Sequence, residues 1–269
     1  MPDNKGFWIE NKFGSRHIAF SARHRFGILP ELAVRLGFGI SYLSSMARWV
    51  ESENKITEIW LIPTSQAQRD LERFLRKIRK VKSLEIRNSQ APLDYAHITQ
   101  LKNLRHLSIQ GKIVKDIDLS ELSRLVSLSG SNSSICHLNG LEKLKHLSSV
   151  QSYDVKSGWV KSLPIGLKSL TLYGKFPVNL DISKFSQLNR LNFARSRQID
   201  FTSLNSPSNF VKILGIRDIK AIKGIEFIPI LFPKLREIRA SELEYQLVED
   251  LKVLGHIKCT VVNNSEGSW

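Results

Sequence analysis

Apolar side chains return along this chain in one phrase. From Leu104 the stretch Leu104-Arg-His-Leu107-Ser-Ile109-Gln-Gly111 is apolar at its first, fourth and sixth positions. The same LxxLxL spacing starts at Ile56, Val81, Leu104, Leu125, Leu144, Leu167, Leu188, Val211 and Leu235, with a weaker copy at Leu254. Successive starts lie 25, 23, 21, 19, 23, 21, 23, 24 and 19 residues apart. In an extended segment positions 4 and 6 share a face and position 5 lies on the other, so each copy predicts a short strand that buries its leucines. One such hexapeptide is common by chance, whereas about ten at near-even intervals are not.

The stretches between copies carry helical and turn patterns. Leu71, Phe74, Leu75 and Ile78 form the apolar stripe of a helix over residues 66–80, whose opposite face gathers Arg69, Arg73, Arg76, Lys77 and Lys80. Such a face is either solvated or a contact for a polyanion. A second phrase, apolar-Asp-apolar-Ser/Thr, recurs at Ile117-Asp-Leu-Ser120, Leu180-Asp-Ile-Ser183 and Ile199-Asp-Phe-Thr202. The hydroxyls of Ser120, Ser183 and Thr202 are expected to cap short helical turns. Near the end, Leu243, Leu247, Leu251 and Leu254 predict a helix over 242–253, followed by a strand from Ile257 to Val262. Residues 1–55 fit the phrase least. His17 to His24 alternates like a strand, and Ser41 to Glu51 has helical spacing.

LxxLxL cores recurring every 20 to 29 residues are the signature of a repeat array. On these residues the chain resembles the leucine-rich repeat family, in its bacterial intracellular form, over residues 56–262. The resemblance implies an α/β fold: a right-handed solenoid curved as a horseshoe or arc, with a parallel sheet on the concave face and short helices or turns on the convex face. Residues 1–55 would cap the first repeat, because an end repeat exposes its apolar side unless something covers it, and 263–269 would be a tail. One elongated domain suffices, since each repeat buries its face on its neighbours. Family members usually hold Asn at the ninth position. Here that column reads Thr64, Ser89, Lys112, Ser133, Ser152, Lys175, Ser196, Ile219 and Leu243, which predicts looser bends.

Composition changes the picture chiefly through charge. Forty Lys and Arg stand against 25 Asp and Glu, a formal net charge of +15 that favours acidic partners. The two cysteines, Cys136 and Cys259, fall on distant repeats and are read as reduced. The N-terminal residues lack the apolar run and cleavage site of a secretory signal, no segment has the length and apolarity of a membrane span, and cysteine-rich caps are absent, so a cytoplasmic location is expected.

Positions 2, 3, 5 and 7 of each copy are expected on the concave face. Those forty positions hold eleven Lys or Arg and three Glu, a surplus of 11 − 3 = 8 where the chain average gives 15/269 × 40 ≈ 2.2. The candidate partner-binding residues are the cations Lys82, Arg87, Arg105, Lys145, Lys168, Arg190, Lys212, Arg217, Arg236 and Arg239, the histidines His106 and His146, and the aromatic anchors Trp60 and Tyr173. Val126, Ser127, Ser129, Ser131, Ser148 and Val150 read as a smooth central patch.

HExxH, GxGxxG, P-loop, GxSxG and CxxC motifs are all missing, and His106, His146 and His256, although in one column, have no Cys or Asp ligands beside them. The expected function is non-enzymatic, without metal or cofactor. A basic concave face is expected to bind an acidic protein as an interaction scaffold, with an immunity protein that neutralises a toxin or effector domain as one form of that role. The alternative is nucleic-acid binding through the same face and the helix at 69–80; with only Trp60 and Tyr173 to stack bases, it ranks second. A monomer is expected.

Overall fold

The computed structural model describes residues 8–12, 15–19, 56–61, 75–76, 79, 81–176, 179–204 and 206–262, with backbone alone for 8–12, 15–19, 56–61, 87–93, 132 and 157. The chain forms two compact units, Met1–His146 and Leu147–Trp269.

In the first unit β1 (Trp8–Lys12) runs antiparallel to β2 (Ser15–Ala19), and β2 is parallel to β3 (Ile56–Leu61). Next come β4 (Ser83–Leu93), β5 (His106–Ile113), β6 (Ile117–Asp118), β7 (Ser127–Ser131) and β8 (Leu138–Asn139). Strand β3 is parallel to β4, β4 to β5 and β5 to β7, while β6 and β8 pair with each other on the far side of the repeats. The second unit is a run of parallel neighbours: β9 (Ser149–Tyr153), β10 (Ser169–Tyr173), β11 (Arg190–Asp200), β12 (Ile213–Lys223), β13 (Glu237–Ser241) and β14 (Lys258–Val261). Among the described residues the helices in the connections are short, and the longest is Tyr245–Lys252, predicted near the end. The predicted helix at 41–51, the tail, and Arg69, Arg73, Lys77 and Lys80 of the basic helix lie outside the described residues.

Leucines at the first and fourth positions build the cores. Leu104, Leu107, Leu125 and Leu128 in the first unit, and Leu167, Leu170, Leu188 and Leu191 in the second, are all at most 2% exposed. Each contributes about 1.5–3 kcal/mol by leaving water.

The fifth repeat starts three residues later than the sequence spacing places it. Ser149 pairs with Ser169 and Val150 with Leu170, so Leu147, not Leu144, takes position 1 and Val150 takes position 4. Val150 is accordingly fully buried and not part of a smooth open patch. The start-to-start distances 125 to 147 and 147 to 167 become 22 and 20 in place of 19 and 23. Ser152 falls at the inward sixth position, 0% exposed and with its hydroxyl unpartnered among the described residues. The last repeat is displaced as well. Ile257, buried and bonded through its N–H to the Leu254 carbonyl at 2.8 Å as Leu235 is to Phe232, takes the first position in place of Leu254, and Cys259 pairs with Ile238, so the strand follows one residue early.

The turn phrase works through its aspartate. Ser120, Ser183 and Thr202 donate their backbone N–H groups to Asp118, Asp181 and Asp200 at 2.9, 3.0 and 2.9 Å, and the hydroxyls of Ser183 and Thr202 donate to the same carboxylate oxygens at 2.7 and 2.6 Å. The carboxylate is the cap and the hydroxyl is a donor, the reverse of the expected roles, because an ionised carboxylate is the stronger acceptor. Ala96 repeats the contact to Asp94 at 2.9 Å. The bond from the Ser120 N–H holds Asp118 below its usual carboxyl range, and bonds from the Ser183 and Thr202 hydroxyls do the same for Asp181 and Asp200.

That shift has a pH signature. A carboxyl whose folded pKa lies below its unfolded value contributes stability above the unfolded pKa, and loses it as pH falls through the folded one. Thermal unfolding should therefore be flat from pH 7 to about 5 and drop below about pH 4. The D118N/D181N/D200N variant should be less stable at pH 7 and show a shallower acid drop; an equal acid drop would assign the loss to other carboxyls.

At the far end of the strands the bend has its own device. Position 8 in the second unit is left-handed in successive repeats: Asp154, Gly174, Arg195, Asp218 and Glu242 have φ of 53, 74, 53, 49 and 53°. The Asp154 carboxylate accepts the Lys175 N–H at 2.8 Å, and a Cβ on Gly174 would lie 2.3 Å from that carboxylate oxygen. In the first unit serines bridge instead, with the buried Ser134 hydroxyl donating to the carbonyls of Ile109 (2.6 Å) and Ser131 (2.9 Å).

Candidate functional site

Each parallel strand turns positions 4 and 6 into the core, which leaves 3, 5 and 7 on the open face and position 2 at the strand's start. The predicted residues divide by that rule. In the first unit Lys82 and Arg105 stand exposed at position 2 and His106 is exposed at position 3. Trp60 and Arg87 lie on β3 and β4, and their side chains lie outside the described residues. Lys145 and His146 are exposed but leave the face. With Leu147 in position 1 they form the turn before the strand, so His106 and His146 no longer share a column, and His256 lies in the turn before β14.

In the second unit Lys168, Lys212 and Arg236 are exposed at position 2, and Arg190 is half-buried at position 3. None of these four has an ion-pair partner among the described residues. Two predicted cations do: Arg217 binds the Glu242 carboxylate at 2.8 Å, and Arg239 reaches Glu237 at 3.2 Å. Their charge is largely cancelled within the face.

The floor between these rims is small and polar. Thr171 and Asn192, at position 5 of β10 and β11, are 7% and 6% exposed, and the Asn192 amide donates to the Thr171 hydroxyl at 2.9 Å. The next residue in that row is Gly215, where a Cβ would sit 2.3 Å from the Asn192 carbonyl oxygen, so glycine is what lets the amide lie flat across the strand.

At the other end of the strands Tyr153 and Tyr173 are stacked, with ring centroids 4.4 Å apart and planes within 14°. Burial pushes the Tyr173 hydroxyl pKa up and the Tyr153 neighbour adds to it, while Arg195 and Arg217 pull it down. The stacked pair brings Tyr153 to the face. Spacing alone had put Val150 in that position, and only the even 22- and 20-residue intervals of the later start could have revealed the tyrosine.

Repeats of this length, with inward leucines and a parallel strand each, define the fold by their own register. It is a leucine-rich-repeat fold. No protein-family profile matches the chain, and no curated protein matches it. Among solved structures it is similar to internalin C2 from Listeria monocytogenes, at 12% identity and a TM-score of 0.39 over 81% of this chain and 92% of that one. It is also similar to the functional domain of InlJ from the same organism, described as including a cysteine ladder, at 14% identity and a TM-score of 0.34 over 71% of this chain and 40% of that one. At those values neither neighbour bears on what this chain binds. Cys136 and Cys259 are both free.

Among the described residues there is no group of three His, Cys, Asp or Glu side chains able to hold a metal ion, and no helix long and apolar enough to cross a membrane. The arrangement is a polar floor with a cationic margin and an aromatic margin, which can hold a ligand by charge and by ring contact.

Proposed function

We propose that the chain is a non-catalytic binding protein that seats an acidic protein on the open face of its second unit. One observation supports this reading above the others: Lys168, Arg190, Lys212 and Arg236 line one margin without internal counter-ions, opposite the stacked Tyr153–Tyr173 pair. Adjacent strands are about 4.8 Å apart, so neighbouring cations repel one another and gain when a carboxylate surface arrives. Tyrosines with a large contact area and few rotors to freeze are effective anchors at the centre of such an interface. Neutralisation of an acidic toxin or effector domain in the cytoplasm is the form of this function we assign, and two free thiols accord with a reducing compartment.

The test is affinity purification from the native host at moderate salt with nuclease treatment, followed by binding measurements on the acidic protein recovered. The K168E/R190E/K212E variant should weaken that complex about 100-fold or more, mainly through slower association. Y173A should weaken it about tenfold or more through faster dissociation. A complex whose affinity survives both substitutions, in a protein of unchanged melting temperature, would remove this face from the interface.

A further inference from the structure

The corrected repeat starts uncover a second charged feature, separate from the open face. Consider the edge at which the strands of the first unit begin, meaning the two residues before position 1 together with position 2. The ten such positions of the first unit with described side chains, Lys145 and His146 of the turn ahead of β9 included, hold six cations, Arg79, Lys82, Lys102, Arg105, Arg124 and Lys145, and no Asp or Glu. At the chain's average frequency, 40/269 × 10 ≈ 1.5 cations would be expected. Lys145 belongs to this row because its N–H bonds the Lys143 carbonyl at 3.0 Å, the same turn bond that Lys102 makes to Gln100 at 3.0 Å.

One part of this edge is a built depression. Arg79, Thr99, Gln100, Lys102 and Asn103 line a shallow hollow of about 600 Å³. Asn103 holds it in shape, donating to the Arg79 carbonyl at 3.1 Å and accepting from Arg124 Nη1 at 2.9 Å. Lys102 is bonded to Glu121 at 2.9 Å, but both side chains are more than half exposed, and a pair so open to solvent yields to a stronger anion. Each of these five described residues offers a hydrogen-bond donor, and none of the five is aromatic or aliphatic.

We infer that this leading edge of the first unit binds the phosphate backbone of a nucleic acid without reading its sequence. Arg, Lys, Thr, Asn and Gln are the side chains that contact phosphates, and such contacts position a strand without identifying its bases. Base stacking needs aromatic rings, and the ten edge positions contain none. A protein partner would instead need an apolar anchor, and the edge's one apolar residue, Val126, is half-buried. The inference stands apart from the proposed protein-binding face, which lies in the other unit.

Fluorescence anisotropy of the full chain with a labelled mixed-sequence 20-mer duplex, from 50 to 200 mM salt, tests it. Contacts by Lys82, Lys102, Arg105 and Arg124 should give a slope of log affinity against log salt of about −3 to −4. The K102Q/R105Q/R124Q variant should lower affinity at least about tenfold and flatten the slope by about 3 × 0.9 ≈ 2.7. The control K112Q/K115Q/K175Q, which removes as much charge from exposed lysines at or beyond the far ends of the strands, should change little. Circular dichroism melts of both variants separate lost binding from lost folding. Absence of binding at 50 mM salt, or equal loss in the control, overturns the inference. So does a polyglutamate peptide of matched charge that binds as tightly as the duplex and is lost in the same variant, since the edge would then be a site for acidic protein.

Discussion

Replacing Phe201 by alanine is expected to cost about 3–5 kcal/mol, the range for removing a buried aromatic side chain. Phe201 is 0% exposed at the start of the short helix Phe201–Ser203. Its ring sits edge-on to Phe193 at 6.0 Å and to Phe232 at 6.4 Å, and Phe193 in turn meets Phe176 at 4.9 Å. The phenylalanines thus form a chain across three repeats, and removing one opens a cavity that rigid strands on either side cannot collapse to fill. Each lost ring contact adds about 0.5–1.5 kcal/mol to the burial term, which favours the upper part of the range. In a repeat array the loss is passed to nearest neighbours first, so hydrogen exchange in β11, β12 and β13 should rise before exchange in the first unit. Urea unfolding gives the magnitude. F227A, at a ring 40% exposed, is the comparison and should cost well under half as much. Similar losses for the two would mean that the rings do not form one packed column.

Gly130→Val is expected to be about as damaging, for the opposite reason. Gly130 occupies the inward sixth position of β7, and a Cβ there would stand 2.7 Å from the Ile109 carbonyl oxygen, 2.9 Å from Ile135 Cγ1 and 2.9 Å from the Ser134 hydroxyl. The carbonyl has little room to move, since it belongs to β5 and accepts the Ser134 hydroxyl at 2.6 Å. Overpacking of this kind costs about 1–3 kcal/mol. A displaced Ser134, 0% exposed, would leave its hydroxyl unsatisfied for about 1–3 kcal/mol more. The matched control is G166V, where nothing lies within 4 Å of the added Cβ and stability should shift by no more than about 0.5 kcal/mol. Urea titrations of both give the answer, and a near-neutral Gly130→Val would mean that the short helix Asn132–Ile135 does not pack where it is placed.

Parallel strands, inward leucines and the late helix were legible because each depends on a local period that residues such as Leu104, Leu107 and Leu251 carry themselves. The start of the fifth repeat was not. Leu141, Leu144, Leu147 and Val150 are apolar at every third position, so an LxxL phrase begins equally well at any of the first three. The choice falls to pairing: β10 presents Leu170 inward, and Val150 must lie beside it. Three residues of displacement reverse the face, which takes Val150 into the core, moves Lys145 and His146 into the turn, and presents Tyr153. The turn phrase shows the same division. Its composition announced a cap, but which of Asp and Ser accepts depends on where the first N–H points.

The sequence by itself therefore determined that this protein is a run of leucine-rich units with a strongly basic composition, because periodicity and charge are additive properties of residues. Only the tertiary structure decided which cations remain unpaired, since Arg217 meets Glu242 25 residues away while Lys168, Lys212 and Arg236 meet no acid among the described residues. It likewise decided that Tyr153 stacks on Tyr173 and that the described residues at the strand starts of the first unit include no acid. These are relations between adjacent repeats, and strand pairing, rather than any single repeat's pattern, sets them.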